Sequence, residues 1–425
     1  MKEDISETRL ANGLTILTDR MPGVRSATLG FFYRVGSRHE PAELNGISHF
    51  IEHTVFKGTA RRSALDIAIE QDRLGGNLDA FTSHEETGFA IKVIDDQLPK
   101  AFDLISDMLM NPRFDESDLK SEQKVIIEEM KMVEDSPEEY LGELFSEAFF
   151  PGHPLSLSIA GTPKSVKSFD HEITRNYHER AFSPANLVIA VAGNVRHEQI
   201  VDLVQSSSFS QPAAGDRQLK QELQTPTIAA PILIKQNKNL EQAHLIIATP
   251  FVAATDERRY TADLLANIIG GGTSSRLWQK VREERGLAYS VGASAIMYQD
   301  CGLFSIFAGT SPEQVAEVVD ISISEMRDVI NNGVTQDELD LAKQQTTASI
   351  LLGLEDSAAR AATLAQAEMI HGRQISLHEA LASLNAVTTG DIRDLATEYF
   401  RTEKIAFAAL GDLKALKIDR NRLSI

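Results

Sequence analysis

Apolar positions along the chain fall into short extended runs and longer helical patterns, mixed without strict alternation. The runs at 14–19 and 26–35 read as β-strands separated by Pro22 and Gly23, which suits an antiparallel pair. The stretch from Asn45-Gly46 to Lys57-Gly58 has apolar residues at helical spacing, a basic last turn and a glycine stop. A second helix is predicted from near Asp115 to about Asp135, with Asp115 as N-cap, Asp118 completing a capping box and Pro137 just past the end. Val125, Ile126, Met130 and Val133 mark its apolar side.

The order of elements recurs. The run at 187–192 should be a strand stopping at Gly193, and TEKIAFAALG gives a similar run stopping at Gly411. VEDSPEE, from Val133, echoes LEDSAAR, from Leu354, each closing a long helical pattern. Between the halves, 206–231 is rich in Ser, Gln, Pro and Ala without apolar periodicity and reads as a linker. The expectation is an α+β protein of two similar domains, 1–208 and 231–425, joined by a linker at 209–230. Each domain should be a largely antiparallel sheet with helices packed on one face.

A length of 425 residues and 42% hydrophobic content suit two globular domains with sizeable cores. The net charge of -19 argues against nucleic acid or an anionic membrane surface as partner, because both select basic patches. Cys301 is the single cysteine, so neither a disulfide within the chain nor a cysteine-built zinc site is expected. The opening MKEDISETRL has neither the basic start and apolar run of a secretory signal nor the character of an organellar presequence. No apolar run approaches the roughly 18 residues of a membrane span, and a cytoplasmic protein is expected.

Candidate chemistry sits in the first helix, which reads His49-Phe50-Ile51-Glu52-His53. Histidines four apart project from one helix face, so both imidazoles can reach one metal. Glu52, beside them, can take a proton from water that the metal acidifies. This is the inverted form of the H-E-x-x-H arrangement. A third ligand is needed, and the second helix offers Glu122, Glu128 and Glu129. Glu122 and Glu129 are two turns apart on nearly one face, with Glu128 about 100° away and the better candidate for solvent. One of the aligned pair can ligate while the other orients a ligand histidine, and helical spacing does not say which.

GISHFIEHTVFKGT, LGGNLDAFTSHEET, EQKVIIEEMKMVEDSPEEY, HPLSLSIAGT, SPANLVIAVAGNV and IIGGGTSSRLWQKVREERGLAYSV together resemble the pitrilysin and mitochondrial processing peptidase family. The resemblance spans nearly the whole chain and looks like the short, two-domain bacterial branch. It implies zinc, one ion per chain, held by His49, His53 and Glu129, with Glu52 as base and Glu122 as the supporting acid. It also implies that Arg282 and Tyr289, seven apart in the second domain, act on the substrate. A cation and a phenol there can stabilise the developing oxyanion. Where the family commonly has Asn-Ala-x-Thr on a substrate-pairing strand edge, this chain has Asp79-Ala80-Phe81-Thr82. Backbone pairing to an extended peptide survives that change. Glu85 and Thr87 fit the neighbouring block.

The second half does not repeat the metal site, since Asp263, Ala266 and Asn267 align opposite His49, Glu52 and His53, and Ile350 opposite Glu129. Gly270-Gly271-Gly272 lacks the lysine of a phosphate-binding loop, so no nucleotide role is expected. The expected activity is a zinc endopeptidase on peptides or unfolded protein segments, as a homodimer or with a related subunit. The alternatives are a non-catalytic partner subunit and a small-molecule hydrolase or lyase using the same motif.

Overall fold

The computed structural model describes residues 3–211 and 223–425, so much of the linker predicted at 209–230 lies outside the described residues. The described chain forms two compact units, one of residues 3–131, 157–211 and 351–376, the other of 132–156, 223–350 and 377–425.

The first unit contains β1 (Ile5–Arg9), β2 (Thr15–Arg20), β3 (Ser26–Tyr33), β4 (Leu78–Thr82), β5 (Thr87–Ile94) and β6 (Leu187–Gly193), in the order β1-β2-β6-β3-β5-β4. The runs expected to pair directly are therefore strands but not neighbours. β6 lies between them, parallel to β2 and antiparallel to β3. Its sequence LVIAVAG is buried at every position. A strand apolar on both faces belongs in the middle of a sheet covered on both sides.

The two faces follow the period of two. Leu29, Phe31, Ile189 and Val191 face a core shared with Ile47, Phe50 and Ile51 of the helix Ile47–Thr54. The alternate residues Leu17, Phe32, Val188 and Ala190 pack instead on Leu364 and Ala365 of the helix Ser357–His371, which comes from the far end of the sequence. Polar pairs pin that helix. Asp19 forms a buried ion pair with Arg360, Thr28 Oγ1 meets Ser357 Oγ at 2.8 Å, and Arg9 donates to both Glu368 oxygens at 2.7 Å.

The second unit has β7 (Ile232–Gln236), β8 (Ala243–Phe251), β9 (Ala288–Met297), β10 (Gly302–Thr310) and β11 (Ala406–Gly411), in the order β7-β11-β8-β10-β9. With β1 set aside, this repeats the first sheet in order and direction, including the single parallel pair. One face of β11 presents Phe407 and Ala409 to a core with Leu264, Leu265 and Ile268 of the helix Arg259–Gly270. The other presents Ala406, Ala408 and Leu410 to Leu141, Phe145 and Phe149 of the helix Pro137–Phe149.

Each sheet is thus closed on its second face by a helix numbered within the other half of the chain. The boundaries 1–208 and 231–425 do not follow this exchange. The echoing VEDS and LEDS blocks fall where it occurs, just after the unit changes at 131/132 and 350/351. Both mark the end of a long helix, Glu116–Asp135 and Gln336–Gly353, directly before the exchanged helix begins.

Candidate metal centre

The helix Ile47–Thr54 is anchored by Ile47, Phe50 and Ile51, all fully buried, which turns His49, Glu52 and His53 toward one side. Its N-terminus is closed by a residue that sequence patterning missed. Buried Glu40 accepts from the N–H of Gly46 at 2.7 Å and of Ser48 at 2.8 Å. A carboxylate there satisfies orphan donors and complements the helix dipole. Gly46 takes φ of 94°, where a side chain would strike Ala160 O at 2.6 Å. Burial raises the Glu40 carboxyl to about 7 against the pull of those two N–H groups. Glu40 lies in an irregular segment, so no period marks it.

The helix Glu116–Asp135 supplies the opposite wall. Its buried stripe is Leu119, Glu122 and Ile126, with Met130 partly buried against the core. Val125, expected on the apolar side, is 41% exposed, and the carboxyl of Glu122 takes the inward position. At about 100° per residue, 119, 122 and 126 fall within about 60° of arc, and 125 lies beyond its edge, about 100° from 126. Glu128 is exposed and pairs with Lys131 at 2.7 Å.

His49, His53 and Glu129 each offer one ligand atom, and the three atoms lie within 4.8 Å of one another. No other group of three such residues occurs among the described residues. His53 Nδ1 meets Glu122 Oε2 at 3.3 Å, and the tautomer that donates its Nδ1 proton to that carboxylate leaves the lone pair on Nε2 for a metal. That Nε2 is 3.5 Å from Glu129 Oε2. Tetrahedral zinc with bonds of about 2.0–2.1 Å holds neighbouring donors roughly 3.3 Å apart, so this pair fits the ion with little movement. The buried His49 Nδ1 has no hydrogen-bond partner. Burial, then the neighbouring His53, lowers His49 to about 4, which leaves the imidazole neutral and able to donate its lone pair. Two neutral imidazoles and one carboxylate suit zinc and leave a coordination position open.

Lys57, also missed, reaches Glu122 Oε1 at 2.7 Å, so the buried carboxylate bridges a cation and a ligand histidine. Its spacing of four from His53 is the signal that finds it.

Glu52 is 9% exposed, and burial raises its carboxyl while the Thr82 hydroxyl, donating to Oε2 at 2.6 Å, holds the anion. Thr82 ends β4, which pairs only with β5 and is the sheet's edge strand. Leu78, Ala80 and Thr82 share the core face. Asp79 and Phe81 point to the other, where Asp79 lines a cavity of about 450 Å³ with Thr28, Lys92 and Ala358. Asp79 is thus turned away from Glu52. Thr87 is a buried strand residue donating to Val35 O at 2.8 Å, and Glu85 pairs with the buried Arg38.

Arg282 and Tyr289 lie in the second unit and meet each other, the guanidinium 4.7 Å from the ring centre. Asp263, Ala266 and Asn267 all fall on the helix Arg259–Gly270, where Asp263 is exposed and Ala266 buried.

Residues 15–163 match the family described as insulinase (peptidase family M16), and residues 168–346 match the peptidase M16 inactive domain. A Streptomyces coelicolor protein described as an uncharacterized zinc protease is 38% identical over 98% of this chain and 91% of its own. A protease from Helicobacter pylori superposes with a TM-score of 0.88 at 22% identity, covering 96% of this chain and all of that one. A Pseudomonas fluorescens structure described as a peptidase M16 inactive domain does so with 0.90 at 19% identity, covering 98% and 100%. The chain belongs to peptidase family M16, and within it to the two-domain bacterial branch. Among the described residues no helix is long and apolar enough to cross a membrane.

Proposed function

We propose that the chain is a zinc-dependent endopeptidase that hydrolyses peptides or unfolded protein segments. The observation that carries this reading is the donor set of His49, His53 and Glu129 beside a buried Glu52 that Thr82 holds at a sheet edge. His49, His53 and Glu129 would hold one zinc ion, which when bound acidifies water and polarises the scissile carbonyl. Glu52 takes the water proton and returns it to the leaving amine, a task its raised carboxyl suits. Glu122 orients His53, and Lys57 compensates the charge of Glu122. The unpaired edge of β4 at Asp79, Ala80, Phe81 and Thr82 offers backbone groups to an extended peptide. Arg282 and Tyr289 bind the peptide carbonyl and steady the oxyanion. The working form is a homodimer, or a pair with a related subunit.

The test is zinc content together with cleavage of an internally quenched peptide, with and without chelator. Cleavage by the zinc-loaded protein, its loss on chelation, and its loss in a zinc-retaining Glu52→Gln variant support the reading. A zinc-loaded protein inert across a broad peptide library speaks instead for a non-catalytic partner. A rate indifferent to peptide length speaks for small-molecule chemistry. Mass in solution decides the pairing.

A further inference from the structure

Arg282 is gripped from two sides. Its guanidinium carbon lies 4.1 Å from the ring centre of Trp278 and 4.7 Å from that of Tyr289. Both rings are within cation–π range. Trp278 is itself tied, its indole N–H donating to Glu283 Oε1 at 3.0 Å. The two walls differ, since Trp278 is half-buried while Tyr289 is 78% exposed.

Trp278 and Arg282 share a π-helical turn, Trp278–Glu283, in which the Glu284 N–H donates to Gln279 O at 2.9 Å. Such turns are rare and concentrate at functional sites. This one is fastened beneath by the buried Val281, by Lys280 paired with Glu325, and by Arg276, which donates to Glu338 at 2.7 Å and Asp328 at 2.9 Å. A rigid, tied ring thus stands behind an arginine whose outer neighbour is an open ring. An unrestrained arginine samples many rotamers and loses that freedom on binding.

We propose that Trp278 is a positioning residue, which holds the Arg282 guanidinium in one orientation along Tyr289 before a peptide arrives. The inference rests on the reading that Arg282 binds the peptide. Trp278 acts on substrate only through Arg282. Its removal leaves every donor of the metal centre in place and weakens the hold on peptide.

The experiment uses the zinc-loaded full chain carrying Glu52→Gln, with fluorescein-labelled casein as probe and anisotropy as readout. Trp278→Leu, which keeps an apolar side chain but removes the ring face, is expected to weaken casein binding about tenfold. Trp278→Phe, which restores a ring, should stay within about threefold of the parent. Trp278 is the single tryptophan of the chain, so with an unlabelled, tryptophan-free peptide in place of casein the emission reports this contact alone. That peptide should shift the emission, and Arg282→Met should abolish the shift. Parent-like binding by Trp278→Leu, with binding weakened by Arg282→Met, overturns the positioning role and leaves the reading of Arg282 standing. Parent-like binding by Arg282→Met overturns that reading itself. If the Leu variant does not fold, as judged by circular dichroism, an emission indifferent to both the tryptophan-free peptide and Arg282→Met overturns the proposal.

Discussion

With β1 set aside, the two units repeat one sheet strand for strand, and they part company in two further places. The first is the helix that follows the second strand of the repeated plan. In the first unit it carries His49, Glu52 and His53. In the second it carries Asp263, Ala266 and Asn267, with Leu264, Leu265, Ile268 and Ile269 buried around them. Both helices bury an apolar face against their sheet, so the packing that makes the fold is indifferent to the chemistry. The second place is the covering helix. In the first unit it is held by Asp19–Arg360, Thr28–Ser357 and Glu368 with two arginines, and in the second by Phe145 and Phe149 packed on Ala406, Ala408 and Leu410. One architecture tolerates an apolar seam bordered by ion pairs or one filled by aromatic rings.

The sharpest way to break the comparison is at the motif. Glu52→Gln is expected to lower peptide cleavage by about 10²–10⁴-fold while zinc content stays the same, measured by turnover and metal analysis. Asn267→Ala, at the counterpart of His53, should leave both untouched. Loss of metal with the second variant would mean that the helices are not functionally distinct.

The seams come next. Phe149→Ala should cost about 3–5 kcal/mol by opening a cavity, and Arg360→Ala about 3–5 kcal/mol by stranding buried Asp19. Denaturant midpoints measure both. Parity of cost would show that the ion-paired seam specifies as firmly as the aromatic one.

Zinc removal should then act on one unit alone. At a free zinc concentration a hundred times its dissociation constant, binding stabilises by about 2.7 kcal/mol. Chelation should therefore speed amide exchange in Ile47–Thr54 and near Glu129, and leave Arg259–Gly270 unchanged.

The most gradual effect belongs to Glu40. Its folded carboxyl sits near 7, above the ordinary 4.5 of the unfolded chain, so the folded state holds the extra proton between those values. Its contribution to stability is fully present below about 4.5 and is lost as pH rises to 7, at up to about 1.4 kcal/mol per pH unit. Glu40→Gln should flatten that part of the profile, read from unfolding free energies across the window.

Much of this was legible in the sequence because it is local. The H-x-x-E-H spacing, the glycine stop at Gly58, the run ending at Gly193 and the repeat of E-D-S all depend on neighbours within a turn or a strand. What escaped notice depends on distant partners. Nothing within 14–35 announces that 187–193 will come between the two strands. The covering helices look like ordinary amphipathic segments, because periodicity states that a face is buried and not by which sheet. Helical spacing left Glu122 and Glu129 interchangeable as ligand until Lys57 and His53 closed around Glu122, and Val125 read as apolar and is solvent-facing. Arg282 was nameable from family likeness alone, whereas its neighbour Trp278 needed coordinates.

The exchanged helices also impose a timetable on synthesis. The first sheet is complete once Gly193 has emerged, yet Leu17, Phe32, Val188 and Ala190 wait for a cover that ends at His371. At about 5–20 residues per second, the ribosome needs roughly 10 to 35 seconds to deliver it. For that interval the nascent chain shows a greasy strip and an unmatched Asp19, an invitation to chaperones. A message truncated after residue 208 would leave the strip bare for good.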